Sequence, residues 1–502
     1  MINKPALVRN EWLPILFGLL AVGVGAVASL VVVNVPSNML LMALVIAPFI
    51  ALGMTRKPEW GLLLLVFMTY IRLSDVLVEY HGVPSIAKPF IVLLIVIIAA
   101  RWLLYGEEPR GWYQSALIVI GYGLIGFTSL LYADDKSIVQ GALVDHVKDA
   151  IIAVVITMLI HKAVTLHRVV WMLLLAGIFM GTLSVYQQMT GTFDNIYWGF
   201  AQAEIKNIVG ETSDYRIGGP GFGPNAYGQF LVVLVPIALD RLWSERKLGL
   251  RILAGWSLGV VVLSIFFTFS RGSFLGLLLV LGAMIIHRPP KVTTLLVTLL
   301  MAMFLVQMMP AQYTDRLKTL FDLLPGSDTN ALDEISFRGR ISENTVGWRM
   351  FTDHPLIGVG LANYKANYLS YSEDLGIDAR REERGAHNMY LQIAAESGLM
   401  GLFAMGLIMW VLYRAVRAAV ADFEQAGMPD YANLAFAFGV SLLGFFAVAV
   451  VKHMAHPRYF WMLCGIALSM PYVARQELQA RLADNSRKIT NAVMLGAEKY
   501  DQ

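Results

Sequence analysis

A histidine stands at the entrance of an apolar run, in the stretch GAHNMYLQIAAESGLMG at residues 385–401. An imidazole has an unperturbed pKa of about 6.5, so His387 suits general acid/base chemistry near neutral pH. Asn388, Gln392 and Glu396 follow at i, i+4 and i+8 spacing, which places them on one face of a helix. Polar groups at membrane depth are costly, and this predicts a functional stripe. Helix capping by His387 and interhelical hydrogen bonding by the stripe are the alternatives.

A glycine-rich segment, YRIGGPGFGPNAYG at residues 215–228, precedes another apolar run. Glycines admit positive φ and let the backbone approach a ligand closely. Backbone N–H groups followed by a helix N-terminus favour an anion. With Arg216 beside it and Asn225 at the start of the run, the segment predicts an anion site. The alternative is a tight re-entrant turn with an arginine that reaches the lipid head groups.

A pair of arginines lies in FRGRISENTVGW at residues 337–348, and the motif HPLIGVG follows at 354–360. The apolar spacing after the pair predicts a short surface helix, whose first turn presents Arg338 and Arg340. These arginines are candidates for binding an anionic substrate. A solvated basic turn, paired with nearby acidic residues, is the alternative.

Other polar candidates offer less chemistry. They are Arg271 in Ser-Arg-Gly-Ser, the pair Arg72 and Asp75, and the group His453, His456 and Arg458. Two histidines with no matching third ligand do not predict a metal site. The single cysteine, Cys464, lies in an apolar run and allows neither a disulfide framework nor a cysteine-based metal site. We expect neither a metal nor a cofactor.

Composition indicates which elements hold these residues. The chain has 502 residues, of which 57% are hydrophobic and 15% are charged, whereas soluble domains carry about 25% charged residues. The sequence therefore predicts an all-α polytopic membrane protein. Counting apolar runs of about 20 residues gives about fourteen spans, in a range of twelve to fourteen, and these include runs near 12–33, 149–166, 168–186 and 292–309. A net charge of +3 does not indicate nucleic-acid binding.

Basic residues concentrate in alternate short loops, on the side that also holds both termini. This bias predicts a multi-pass protein with both termini in the cytoplasm. Two outer segments, at about 187–225 and 310–387, are too long to be simple connections, and loops of such length are usually functional. We expect a membrane domain over 1–474 and a polar cytoplasmic tail over 475–502.

Together the three motifs resemble the O-antigen ligase and O-antigen polymerase superfamily, over roughly 170–410. The shared pattern is an arginine before the Gly/Pro/Asn segment, a Gly-Arg before His-Pro-Leu-x-Gly-x-Gly, and His-Asn-x-Tyr-Leu-Gln-x-x-x-Glu-x-Gly. The resemblance implies a GT-C-like inner-membrane glycosyltransferase with a periplasmic active site and short helices in its large periplasmic loop. It implies a glycan donor on undecaprenyl diphosphate and no metal.

The resemblance also implies roles for individual residues. Two arginines and a histidine are thought essential in the ligases, and they correspond to Arg216, Arg340 and His387; Arg338 competes with Arg340. The remaining candidates are assigned to substrate binding. They are Arg338, Arg271, Asn225, Asn388, Gln392 and Glu396.

Several acceptors and one other function class stay open. The acceptor is another lipid-linked repeat in a polymerase, the lipid A core in a ligase, or a protein hydroxyl. The span count favours a polymerase of an exported polysaccharide, with export or assembly proteins as partners. A lipid-linked glycan transporter or flippase is the other class, but neither inverted repeats nor paired broken helices are evident in the sequence.

Overall fold

The structure, a computed structural model, describes residues 53–209, 212–289, 335–376, 383–452 and 457–498. The first helices are α1 Pro58–Tyr70, α2 Leu73–His81, α3 Ala87–Tyr105, α4 Trp112–Thr128, α5 Lys136–Leu159 and α6 Ala163–Thr190. A two-stranded hairpin follows, β1 Gln202–Val209 and β2 Thr212–Gly219. Later helices are α7 Pro224–Ser244, α8 Leu248–Phe267, α9 Arg271–His287, α10 Ile335–Asp353, α11 Tyr364–Leu375, α12 Met389–Gln425, α13 Pro429–Val448 and α14 Pro457–Glu498.

Within these ranges, seven helical segments are long and apolar enough to cross a membrane, or eight if the pair α1 and α2, bent by 53°, is one span. The chain is thus a mostly helical, polytopic membrane protein. The count of about fourteen stays a prediction, because the runs at 12–33 and 292–309 lie outside the described residues. Expected spans at 149–166 and 168–186 are wrong in their bounds: α5 ends at Leu159 and α6 begins at Ala163.

The two-stranded hairpin departs from the all-α fold that the sequence predicts. β1 pairs with β2 in antiparallel register, so that Glu204 lies opposite Arg216. It fills much of the segment 187–225 that the sequence predicts as a long loop. Alternating apolar and polar residues in AEIK, at 203–206, are the signal for a strand. The hairpin places Arg216 beside the start of α7.

α7 is the central helix of the bundle. Nearly all of its residues are buried, and it contacts α8, α9 and α13. An apolar helix buried on all sides needs no polar face, which is why its sequence reads as an almost unbroken apolar run. Its N-terminus faces the hairpin, and this fixes the glycine-rich turn against the bundle.

α10 and α11 pack on the N-terminal part of α12 rather than in the bundle. A small core of Val346, Met350, Val359, Tyr364 and Tyr368 holds them there. The predicted surface helix after Arg338 is therefore present, as α10. At the other end of the chain, α14 runs without a break through the expected boundary at 474–475, so the start of the tail is helical.

Candidate functional site

His387 is held by a buried carboxylate. Its Nδ1 lies 2.6 Å from Oε2 of Glu343, which comes from α10. Glu343 is fully buried, whereas the His387 side chain is 30% exposed. Arg384 places Nη2 at 2.7 Å from the other carboxylate oxygen, Oε1. A carboxylate at Nδ1 accepts that proton and so fixes the ring orientation, which leaves Nε2 as the nitrogen for acid/base chemistry.

Asn388 explains why His387 stands where it does. The Asn388 side chain is the N-cap of α12 and accepts hydrogen bonds from the backbone N–H of Tyr390 at 3.0 Å and Leu391 at 3.1 Å. Capping satisfies donors that the first helical turn cannot. The helix thereby begins one residue after Asn388, and His387 lies just outside it, facing α10.

Gln392 and Glu396, the other two residues of the polar stripe, form a hydrogen-bonded pair at the start of α11. Gln392 donates from Nε2 to Oε1 of Glu396 at 3.1 Å, and the Glu396 carboxylate accepts from the backbone N–H of Ala362 and Tyr364. Glu396 therefore holds the start of α11. The carboxylate in contact with His387 is Glu343, which the sequence motifs did not single out.

The motif HPLIGVG fits into a break in α12. Gly398 has φ +61° and ψ −154°, which interrupts the helix. Across the break, Val359 N–H donates to Ala395 O at 2.8 Å and Leu399 N–H donates to Pro355 O at 2.8 Å. A Cβ on Gly358 would overlap the backbone of residue 396, and one on Gly398 would overlap that of residue 356. The two glycines are required by this close approach of two backbones.

Arg216 is buried at the hairpin and held on two sides. Its Nε donates to Thr268 O at 2.8 Å, and its Nη2 donates to Asn225 Oδ1 at 2.9 Å. Thr268 ends α8 and Asn225 belongs to the first turn of α7. These two oxygens fix the orientation of the guanidinium, whose charge strengthens a hydrogen bond to an anion.

The glycine-rich turn beside Arg216 is bound by a second arginine, Arg72. Gly219, Gly221 and Gly223 have φ of +60°, +73° and +73°, so the irregular backbone depends on these residues. Arg72 donates from Nη1 to the carbonyls of Pro220 at 2.9 Å and Gly221 at 2.6 Å. The turn is thus fixed by carbonyl contacts with Arg72 before any ligand binds.

Arg271 begins α9, where Ser270 caps the helix by accepting from the N–H of Ser273 at 3.4 Å. Only two residues separate Thr268, the partner of Arg216, from Arg271. Gly272 packs directly against Val451 at the end of α13. The α8–α9 turn therefore brings the Arg216 region next to the residue that follows Val451, which is Lys452.

Lys452 joins the remaining charges. The pKa of Lys452 is lowered to about 8, mainly by burial and in part by the positive charge of Arg340, whereas Glu204 and Glu343 oppose the shift. The charges of Arg340 on α10, Glu204 on β1 and Glu343, the partner of His387, therefore lie near enough to act on this one lysine. Sequence reasoning missed Lys452, because a basic residue after an apolar run usually anchors the helix in the interface.

These residues gather at one end of the bundle, where α7, α9 and α12 begin and α8 and α13 end. The side chain of Arg338 lies outside the described residues, although its backbone is in the first turn of α10. Among the described residues, no three His, Cys, Asp or Glu side chains are grouped to hold a metal ion. The arrangement offers several cations beside a histidine–carboxylate pair, which suits a reaction with an anionic leaving group and a nucleophile that loses a proton.

Residues 253–406 match the model of a family described as O-Antigen ligase. Over this region the chain is similar to the O-antigen ligase family. The matched region contains Arg271, Arg340, Glu343 and His387, whereas Arg216 lies outside it. The match confirms the family that the sequence motifs predicted.

No curated protein matches the chain. A solved chain described as "Structural coordination of polymerization and crosslinking by a peptidoglycan synthase complex" shares 15% identity with it, and the alignment covers 73% of this chain and 98% of that one, with a TM-score of 0.38. A likeness at that score carries no argument about fold or function.

Proposed function

We propose that the protein transfers a glycan from undecaprenyl diphosphate to an acceptor hydroxyl, at the periplasmic face of the bacterial inner membrane. The observation that carries this proposal is that the charge of Lys452 is influenced by Arg340, by Glu343, which is the partner of His387, and by Glu204, which lies opposite Arg216 in the hairpin. The O-antigen ligase family supports lipid-linked glycan transfer in polysaccharide assembly. The reaction serves the polymerisation or ligation of a surface polysaccharide.

The cations act on the leaving group. When the bond between the anomeric carbon and the diphosphate oxygen breaks, negative charge grows on that oxygen. Arg216 is already oriented by Thr268 and Asn225, so it needs no reorganisation to meet this charge. Arg340 and Lys452, which are near enough for their charges to act on one another, add positive charge to this region. One preorganised donor of this kind contributes about 3–4 kcal/mol to lowering a barrier.

His387 acts on the acceptor. Its Nδ1–H donates to Glu343, and Nε2 accepts the proton of the acceptor hydroxyl as the oxygen attacks the anomeric carbon. Glu343 stabilises the imidazolium that forms, a role that resembles the carboxylate of a catalytic triad. A single base with no carboxylate nucleophile gives direct displacement, so the anomeric configuration inverts. General-base catalysis of this kind contributes about 10²–10⁴ in rate.

The acceptor decides between a polymerase and a ligase. A second lipid-linked repeat would make the protein a polymerase, whereas the lipid A core or a protein hydroxyl would make it a ligase. The O-antigen ligase match is compatible with both readings. A lipid-linked glycan flippase is the less favoured function, because these cations gather at one end of the bundle rather than at its midplane.

The test is a transfer assay on the purified full chain in nanodiscs. Lipid-linked repeat units extracted from the native cells are the donor, and the readouts are longer glycans on gels and released undecaprenyl diphosphate. We expect transfer in excess EDTA, and none by His387→Ala although this variant still binds donor. Lack of transfer by the wild type to a second repeat, to lipid A core and to a protein acceptor would refute the proposal. Activity that vanishes with EDTA and returns with Mg²⁺ would assign the leaving group to a metal.

A further inference from the structure

A second concave site lies beside the His387 centre. The turn after α4, the C-terminal end of α10, the motif HPLIGVG and α11 enclose a cavity of about 540 Å³. This volume falls within the range of about 300–1,000 Å³ that is typical of small-molecule sites. Neither His387 nor any of the cations around it lines the cavity.

One face of α11 supplies a wall. Asn367, Ser370, Tyr371 and Asp374 line the cavity, and their spacing of three, four and seven residues puts them on the same face. The opposite face carries Tyr364 and Tyr368, which are buried against α10 and donate hydrogen bonds to Glu343 O and Ser342 Oγ. α11 is therefore fixed by one face while the polar face remains toward the cavity.

The opposite wall combines an aromatic ring with charged groups. Tyr132 is anchored by donating its hydroxyl to Ile357 O at 2.5 Å. Asp134, Arg349, Asp353 and His354 also line the cavity, and Arg349 Nε lies 3.2 Å from Asp353 Oδ2. Burial and the carboxylates of Asp353 and Asp134 raise the pKa of Tyr371, so these groups meet around that ring.

The lining selects a class of ligand. Three carboxylates and one guanidinium leave an excess of negative charge, which disfavours a diphosphate or an anionic lipid head group. No group of His, Cys, Asp and Glu in the described ranges has the arrangement of a metal site. What remains is a set of carboxylate and amide acceptors, amide and guanidinium donors, and two tyrosine rings. Sugars fit such a set, since their hydroxyls pair with the polar groups and their C–H faces pack on the rings.

The cavity lies along α10 from the reaction centre. Arg349 is six residues beyond Glu343 and Asp353 is ten beyond it, which corresponds to about 9 Å and 15 Å at 1.5 Å per residue. A short oligosaccharide spans that distance. We infer that this cavity binds a remote segment of a neutral or amino-sugar acceptor glycan whose terminal hydroxyl reaches His387, an inference that rests on the proposed function.

Binding without turnover tests the cavity by itself. Surface polysaccharide from the native cells is hydrolysed, fractionated by size and titrated into the full chain in nanodiscs by calorimetry. Ser370 is exposed, so Ser370→Trp fills the cavity without disturbing a core. We expect it to weaken binding of the longer fragments by about tenfold or more, equivalent to at least about 1.4 kcal/mol. Ala366→Trp, equally exposed on α11 but outside the lining, should bind as the wild type does.

The outcomes separate this inference from the proposed function. Equal binding by Ser370→Trp and the wild type, or no binding of any fragment by the wild type, would overturn the glycan subsite. His387→Ala should bind fragments normally although it transfers nothing. In transfer assays, Ser370→Trp should raise KM for long acceptors by about tenfold and leave KM for donor unchanged. Fragment binding that Ser370→Trp abolishes, in a wild-type protein that transfers no glycan, would keep the subsite and reject the reaction.

Discussion

The buried carboxylate of Glu343 gives the sharpest test of the proposed chemistry. Glu343→Gln keeps the shape of the side chain and a carbonyl oxygen that can accept from His387 Nδ1. It removes the negative charge that lies 2.6 Å from that nitrogen. The substitution therefore separates orientation of the imidazole, which is retained, from stabilisation of the imidazolium, which is lost.

The distance and burial set the expected loss. Two unit charges about 4 Å apart interact by about 4 kcal/mol at an effective dielectric of 20. The His387 side chain is 30% exposed, and water weakens this interaction. We therefore expect the loss of the charge to raise the activation free energy by about 2–3 kcal/mol. At 1.36 kcal/mol per tenfold, turnover should fall by about 30- to 160-fold.

The assay measures kcat with saturating donor and acceptor in nanodiscs, alongside donor affinity. Donor affinity should change little, because the proposed phosphate ligands are the cations Arg216, Arg340 and Lys452, and Glu343 is not one of them. Glu396→Gln is the matched control: Glu396 is also a buried glutamate of this region, but it binds the backbone of residues 362 and 364 rather than His387. We expect this control to lose less than about threefold in kcat, since it touches no proton-transfer group.

Two results would refute the reasoning. If Glu343→Gln turned over at the wild-type rate, no imidazolium would form in the rate-limiting step, and His387 would not be the base. If the variant lost donor binding but kept kcat, the Glu343–His387 pair would organise the phosphate site instead. Thermal unfolding of both variants, which should differ little from the wild type, shows whether the fold has survived.

Further predictions concern the cations and the glycine pair. Arg216→Lys should lower kcat/KM by about 100-fold or more, because an ammonium cannot replace the guanidinium that Thr268 and Asn225 orient; near-normal activity would exclude a phosphate clamp. Lys452 loses its charge as pH rises through about 8, so kcat/KM for donor should fall above that pH, and Lys452→Met should lack this limb of the profile. Gly358→Ala should lower the stability by about 1–3 kcal/mol more than Gly376→Ala in thermal unfolding, because both have positive φ but only the first overlaps another backbone; equal losses would contradict the close fit.

Part of this architecture follows from local sequence. Apolar runs predict α7 and α13, and the spacing after Arg338 predicts α10. Asn388, which the sequence places in the functional stripe, is the N-cap of α12 in the structure. Each depends on residues within a few positions of one another, and helical periodicity and capping act over that range. The superfamily is also evident in short motifs, because each contains residues whose spacing local structure fixes.

The partners within the site could not be predicted in this way. Glu343 lies 44 residues before His387, and nothing in its local sequence distinguishes it from the other acidic residues of a polar loop. Lys452 follows an apolar run as many interfacial lysines do, and its role depends on α10 and the hairpin packing beside it. Glu396, in contrast, lies in the polar stripe that the sequence predicts to bind substrate. In the structure its carboxylate holds the start of α11.

The reciprocal fit of Gly358 and Gly398 also orders the assembly of the protein. A chain synthesised from its N-terminus completes α10 before α12 has left the ribosome. Residues 354–360 cannot complete their fit until the broken turn of α12 exists, since Leu399 and Met400 donate to Pro355 and Leu356. His387 lies between these two segments in the chain. The nascent protein therefore carries its arginine-bearing hairpin early but gains its histidine–carboxylate pair only when α12 is in place. A shortened chain that ends before α12 would hold Arg216 and Arg340 without Lys452 and without a competent base.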